Sequence, residues 1–240
     1  MAFDFETGEV ILVNKPLKWT SFDVVNRLRI VIKQSLGIKK IKVGHAGTLD
    51  PLADGLLILC TGRFTKKIDE YQAQEKEYTG TFRLGATTPS YDLEHAIDEE
   101  YEYKHITTER IMEVVNEMTG EINQIPPVYS AIKINGRRAY KFARKDKDVT
   151  LDSRAITISE FEITGIELPD VHFRIVCSKG TYIRALARDF GHALQSGAHL
   201  IALRRTRIGR FKLADAMNID ELIKEINQDK PGYEGPVTPD

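Results

Sequence analysis

Cysteine is nearly absent from this chain of 240 residues: Cys60 and Cys177 stand far apart and without CxxC spacing, which excludes a disulfide framework and gives no zinc-ligand pattern. Long apolar runs are missing too. Nothing approaches the roughly 18 residues that a membrane-spanning helix needs. The N-terminus MAFDFETGEV carries acids where a secretion signal would be basic and then apolar. A cytoplasmic protein, with no membrane partner, is the expectation that follows. Net charge is also lacking, since 34 Lys and Arg against 35 Asp and Glu leave −1, which argues against coating nucleic acid by bulk positive charge. The phosphate-cradling patterns GxxxxGKS/T and GxGxxG do not occur, nor does the GxSxG elbow. Nucleotide cofactors and a Ser-His-Asp hydrolase lose support. His45 and Asp50 have no third His or Cys near them in sequence, so no metal is expected.

What is present is ordinary globular composition, 42% hydrophobic and 29% charged, enough for a full core in one large domain or a domain with a small appendage. Its charges are unevenly placed. Between residues 125 and 149 Lys133, Arg137, Arg138, Lys141, Arg144, Lys145 and Lys147 face only Asp146 and Asp148; from 204 to 212 Arg204, Arg205, Arg207, Arg210 and Lys212 meet no acid. Such runs are commonly solvated faces, but the interleaved Tyr140, Phe142 and Phe211 also suit a polyanion.

Hydrophobic periodicity divides the chain. Residues 9–13 read as a strand, and Thr20 or Ser21 caps a helix with Val24, Leu28 and Ile32 at spacings of four, ended by Gly37. KVGHAGTLDPLADG is a loop, and GLLILC a buried strand. A short helix over 65–74 precedes the strand EYTGTFRLG, which puts Tyr78, Phe82 and Leu84 on one face. Residues 86–106 are acidic and irregular, and Thr108 opens a helix stopped by Gly120. Asn135-Gly136 suits a type I′ hairpin turn among the basic residues. Residues 156–166 and 171–177 are paired strands, 181–195 a helix with Arg184 and Arg188 on one face, 200–213 a strand, and Asn218 caps a last helix to 227. The pattern predicts an α+β fold around a mixed, mostly antiparallel sheet.

Within the glycine-rich loop the pair Asp50-Pro51 holds the aspartate extended, because the proline ring disfavours helical geometry for its predecessor. An isolated Asp-Pro pair also serves simply to cap a turn. Here Gly44 and Gly47 flank His45 and permit close approach of backbone to a ligand.

GHAGTLDPLADGLL resembles the catalytic segment of the tRNA pseudouridine synthase B family. NKPLKWTSFDVV, KEYTGTFRLG, PPVYSAIKINGRRAYKFAR, CSKGTYIRALARDFG and AHLIALRRTRIGRF are similar to further segments of that family, in the same order, across roughly residues 9–217. The resemblance implies the pseudouridine synthase fold, with a catalytic domain over 1–217 carrying an RNA-binding hairpin at about 125–150. It also implies a short C-terminal helix and flexible tail over 218–240, a short form without the family's appended PUA domain. The activity implied is isomerisation of uridine to pseudouridine at position 55 in the T loop of tRNA, by base flipping and without cofactor. Asp50 matches the catalytic aspartate, Tyr78 the tyrosine that stacks on the base, and Arg184 the arginine paired with the catalytic carboxylate. His45 matches the residue that fills the space of the flipped nucleotide, Tyr182 and Leu203 the lining of the uracil pocket, and Lys15 a lysine near it. Asp92 matches an acid behind Arg184 and Tyr182, although the family's TDTxD run is here TTPSYD, with Pro89 and Tyr91 substituted. Arg137, Arg138, Arg204 and Arg205 are the expected contacts to the RNA backbone, on a monomer that needs no protein partner. Two other readings are a non-catalytic tRNA-binding or folding factor on the same scaffold, and a nucleoside hydrolase using Asp50. The latter would need a second placed carboxylate that no motif supplies.

Overall fold

The structure is a computed structural model describing residues 3–129 and 151–228, together with the backbone pairing of residues 133–134 and 137–138. In chain order the elements are β1 (Val10–Lys15), α1 (Ser21–Leu36), β2 (Val43–His45), β3 (Asp54–Thr61), α2 (Ile68–Ala73), β4 (Lys76–Leu84), β5 (Ala86–Thr87), β6 (Glu99–Glu100), α3 (Thr108–Glu117), β7 (Gly120–Gln124), β8 (Lys133–Ile134), β9 (Arg137–Arg138), β10 (Arg154–Glu167), β11 (Asp170–Cys177), α4 (Ile183–Ala193), β12 (Ala198–Ile208), β13 (Phe211–Lys212), β14 (Met217–Asn218) and α5 (Ile219–Gln228). They form two compact units, one of Met1–Gln74 with Arg204–Asp240, the other of Glu75–Leu203.

In the first unit β3 pairs antiparallel with β1 and β2 and parallel with the end of β12, while β14 joins β1 in parallel. The run GLLILC is apolar throughout because both faces of β3 are covered. Leu57 and Leu59 join Val24, Leu28 and Ile32 of α1 and Leu222 and Ile226 of α5, whereas Leu56, Ile58 and Cys60 pack with Ile208, Phe64, Ile68 and Phe211. Two cores thus meet on one strand by its period of two. Helix α1 begins in a capping box: the Thr20 hydroxyl accepts from the Asp23 N–H and the Asp23 carboxylate accepts from the Thr20 N–H.

In the second unit β4, β11, β10 and β7 are successive antiparallel neighbours, and the first part of β12 lies beside β4. The rings of Phe82, Phe161, Phe173 and Phe190 bind this sheet to α4, with Phe82 and Phe173 centroids 4.2 Å apart. Both units match the expected mixed, mostly antiparallel arrangement with flanking helices.

Three local expectations change. Residues 43–45, read as loop, form a strand because β3 offers them its free edge. The acidic stretch contains a two-residue ladder, Ala86 with Glu100 and Thr87 with Glu99. Helix α4 starts at Ile183 instead of 181, since Tyr182 is extended at φ −104° and ψ 111° and serves as its N-cap, where its N–H donates to the side chain of Gln124. The basic hairpin is seen as the pairing of β8 with β9, Lys133 opposite Arg138. The turn residues Asn135 and Gly136, the side chains of Arg137 and Arg138, and the tail from 229 onward lie outside the described residues.

Candidate active site

Asp50 stands half-buried in the loop of residues 46–53 between β2 and β3, and that loop is tied down along its length. The Ala46 N–H donates to Ile58 O at 2.9 Å, Lys18 N–H to Pro51 O at 2.7 Å, and Ala53 N–H to Asp50 O at 3.1 Å. The Ser21 hydroxyl, buried at the start of α1, accepts from the Leu49 N–H at 2.8 Å and donates to Leu49 O at 3.1 Å. Ala46, Leu49 and Ala53 are no more than 3% exposed, so the loop is anchored by its own apolar residues as well. The extended backbone expected at Asp-Pro is therefore held by the scaffold around it.

Arg205 corrects the sequence reading. Placed among the RNA-backbone contacts by its basic neighbourhood, it is 1% exposed and donates from all three guanidinium nitrogens to backbone carbonyls: Nε to Leu56 O at 2.8 Å, Nη2 to Gly47 O at 3.1 Å, Nη1 to Thr48 O at 3.4 Å. A guanidinium so enclosed is withheld from phosphate. Its backbone comes close because Gly55, at φ +103°, has no side chain: a Cβ there would lie 2.4 Å from Arg205 O. The adjacent Arg204 is exposed and forms a two-pronged bond to Asp54, at 2.9 and 2.6 Å.

Lys15, at the end of β1 and opposite Gly55, is fully buried with its ammonium donating to Pro16 O at 2.9 Å and Trp19 O at 2.6 Å. Burial pulls its pKa down to about 8, against the opposing pull of the Asp54 and Asp50 charges. His45 closes β2. Burial first, and then the Arg205 charge, hold its imidazole below the usual histidine range, which favours the neutral ring at neutral pH.

In the second unit Tyr78 lies on β4 opposite Ile175 and is 8% exposed. Arg184, the second residue of α4, is buried; its Nε is 3.5 Å from Asp92 Oδ2, and its Nη1 and Nη2 donate to Ser90 O at 3.1 Å and Tyr129 O at 3.0 Å. Asp92 is buried as well and its other oxygen accepts from the Glu94 N–H. The substituted TTPSYD run thus still brings an acid against this arginine. Tyr182 is the N-terminal cap residue of α4. Its N–H donates to Gln124 Oε1 at 2.9 Å and its carbonyl accepts from Gln124 Nε2 at 3.1 Å, while the Arg154 guanidinium lies over its ring at 4.8 Å. Leu203 is half-buried on β12.

Ser21 and Gln124 escaped the sequence reading. Ser21 was legible as a cap candidate beside Thr20, and Gln124 carried a faint signal as the polar end of a strand, just ahead of Ile125 and two prolines. Among the described residues no three His, Cys, Asp or Glu side chains gather as a metal site would require, and no helix is long and apolar enough to cross a membrane.

Residues 33–183 match the family model described as TruB family pseudouridylate synthase (N terminal domain), and residues 184–233 that of the tRNA pseudouridylate synthase B C-terminal domain. The chain is 54% identical over 225 residues to tRNA pseudouridine synthase B of Phocaeicola vulgatus, covering 94% of this chain and 96% of that one. With the protein of the same name from Parabacteroides distasonis it shares 57% over 219 residues, 91% of this chain and 93% of the other. Among solved structures it is similar to a chain in the crystal structure of a Cbf5-Nop10-Gar1 complex, with a TM-score of 0.68 and 31% identity. That match covers 92% of this chain and 54% of the other, so the chain spans about half its length.

Proposed function

Because this chain belongs to the TruB family of pseudouridylate synthases, isomerases that convert uridine to pseudouridine, we propose that its substrate is the uridine at position 55 in the T loop of tRNA. The reaction breaks the N1 to C1′ bond, turns the uracil over, joins C5 to C1′ and moves the C5 proton away while N1 gains one; the product keeps the composition of the substrate. Asp50 acts at the sugar. Its carboxylate either attacks C1′ or takes a proton from C2′, and both steps need a rigidly presented anion beside a sugar that gains positive charge. Tyr78 stacks on the base and is the candidate acceptor of the C5 proton. A stacked and paired nucleotide reaches such groups only when flipped out, at a cost of a few kcal/mol. His45, neutral and half-buried, has the character of a group that fills the vacated space. Tyr182 and Leu203 line the uracil pocket in this reading, with Asp92 supporting Arg184. Arg204, exposed on β12, and Arg137 and Arg138 of β9 are the proposed phosphate contacts.

The observation that carries the reading is the loop of Asp50, whose backbone is bonded to the scaffold at residues 46, 47, 48, 49 and 51 and closed on itself by the Ala53 N–H to Asp50 O bond, with Asp50 half-buried between these anchors. The test is to incubate the protein with unmodified tRNA, without metal or nucleotide, and to map pseudouridine by chemical labelling, since product and substrate have equal mass. Modification at position 55 is expected from the native chain. Asp50→Asn should abolish turnover and leave tRNA affinity within a few fold, because phosphate and shape contacts carry most binding. Turnover by that variant, or modification at another uridine, overturns the proposal.

A further inference from the structure

We propose that Arg205 and Ser21 together are the positioning device of Asp50: the loop that carries it takes its shape from these two buried side chains, and neither acts on RNA. The inference rests on the reading of Asp50 as the catalytic carboxylate. Arg205 reaches the loop from β12 and Ser21 reaches it from α1, two elements far apart in sequence. Their targets are consecutive: Gly47 O and Thr48 O accept from Arg205, and Leu49 offers both its N–H and its carbonyl to Ser21, immediately before Asp50. Arg205 also donates to Leu56 O, so a single guanidinium ties the rising side of the loop to the strand that follows it.

The residue type matters. A planar guanidinium presents its donors in a fixed fork and satisfies three carbonyls at once, whereas a lysine ammonium at the same site is a single point on a flexible stem. Gly47, at φ +95°, lets its carbonyl turn towards Arg205. Both polar side chains are almost completely enclosed, 1% exposed for Arg205 and 2% for Ser21, so these bonds face little competition from water. Reacting groups held loosely by even about 1 Å forfeit a rate factor on the order of a hundred, which is the scale on which such a clamp operates.

The decisive measurement is the single-turnover rate constant with the enzyme in excess over tRNA at saturation, for Arg205→Lys and for Ser21→Ala. Misfolded molecules lower the amount of competent enzyme but leave this rate constant alone, so a purely structural role would not move it. Arg205→Lys should slow it by about 10- to 100-fold and Ser21→Ala by about 3- to 10-fold, with tRNA affinity within about 3-fold of the native chain. A native rate constant in folded Arg205→Lys overturns the role of Arg205. Should that variant fail to fold, Ser21→Ala decides: a native rate constant there overturns the clamp. Asp50→Asn run alongside separates the two readings. If it remains active, the assignment of Asp50 fails; if it is inactive while both clamp variants react at the native rate, only the positioning device fails.

Discussion

The two units bury cations next to their site residues by opposite means. In the first unit Arg205 and Lys15 are enclosed by neutral backbone carbonyls, five of them accepting from these two side chains. In the second, Arg184 has two carbonyls and the carboxylate of Asp92. Carbonyl dipoles hold a cation without adding a charge, which suits a loop whose one conspicuous anion is Asp50. A carboxylate partner neutralises the cation but leaves a pair in which each member depends on the other. The second unit also fixes backbone with an uncharged clamp, Gln124 on Tyr182, where the first uses Ser21 on Leu49.

The largest effect that would sharpen this contrast is expected from Asp92→Ala. Removing one member of a buried pair strands the other, so stability should fall by about 3–5 kcal/mol in denaturant titration. The double variant Asp92→Ala with Arg184→Met should recover part of that loss, and failure to do so would mean that the two side chains are not energetically coupled. Gln124→Leu comes next. It deprives the Tyr182 N–H of its partner, at about 1–3 kcal/mol, while the carbonyl keeps the Leu186 N–H, and hydrogen exchange should speed up at the Tyr182 amide before it does in the rest of α4. Unchanged protection there would show that Gln124 does not hold the start of the helix.

The last effect concerns Lys15 and is confined to alkaline pH. With its folded pKa near 8 and an ordinary value of 10.5, the unfolded chain retains between those limits a proton that the folded chain has released. Stability contributed at this site therefore rises as pH goes from 8 to 10.5, while below pH 8 both states carry the charge and its burial cost applies in full. Against Lys15→Met, the native chain should gain at most about 3 kcal/mol across that window, read by denaturant titration at its two ends. A constant difference between the two chains would mean that the carbonyls of Pro16 and Trp19 hold the ammonium charged throughout.

Much of the local structure was legible from residues alone. Thr20 and Asp23 announce the start of α1, Gly37 its end, and alternation along EYTGTFRLG places Tyr78, Phe82 and Leu84 on the buried face of β4. The ordered motifs pointed to Asp50, Tyr78 and Arg184 before any geometry was available. What escaped were contacts between residues distant in sequence: β2 became a strand through the edge of β3, Gln124 bonded the backbone of Tyr182 just ahead of α4, and Ser21 clasped Leu49 across 28 positions.

Arg204 and Arg205 mark the boundary between the two kinds of information. Neighbours on a strand must point to opposite faces, so the sequence by itself determined that one of this pair would differ from the other in its surroundings. Chemically they are the same residue, and their shared basic stretch put both on the RNA. Only the tertiary structure decided that Arg204 keeps a side chain 54% exposed beside Asp54, while Arg205, against Gly55, turns under the loop of Asp50 and gives its whole guanidinium to the carbonyls there. Which face of a strand is covered depends on what the rest of the chain packs against it, and no local pattern carries that information.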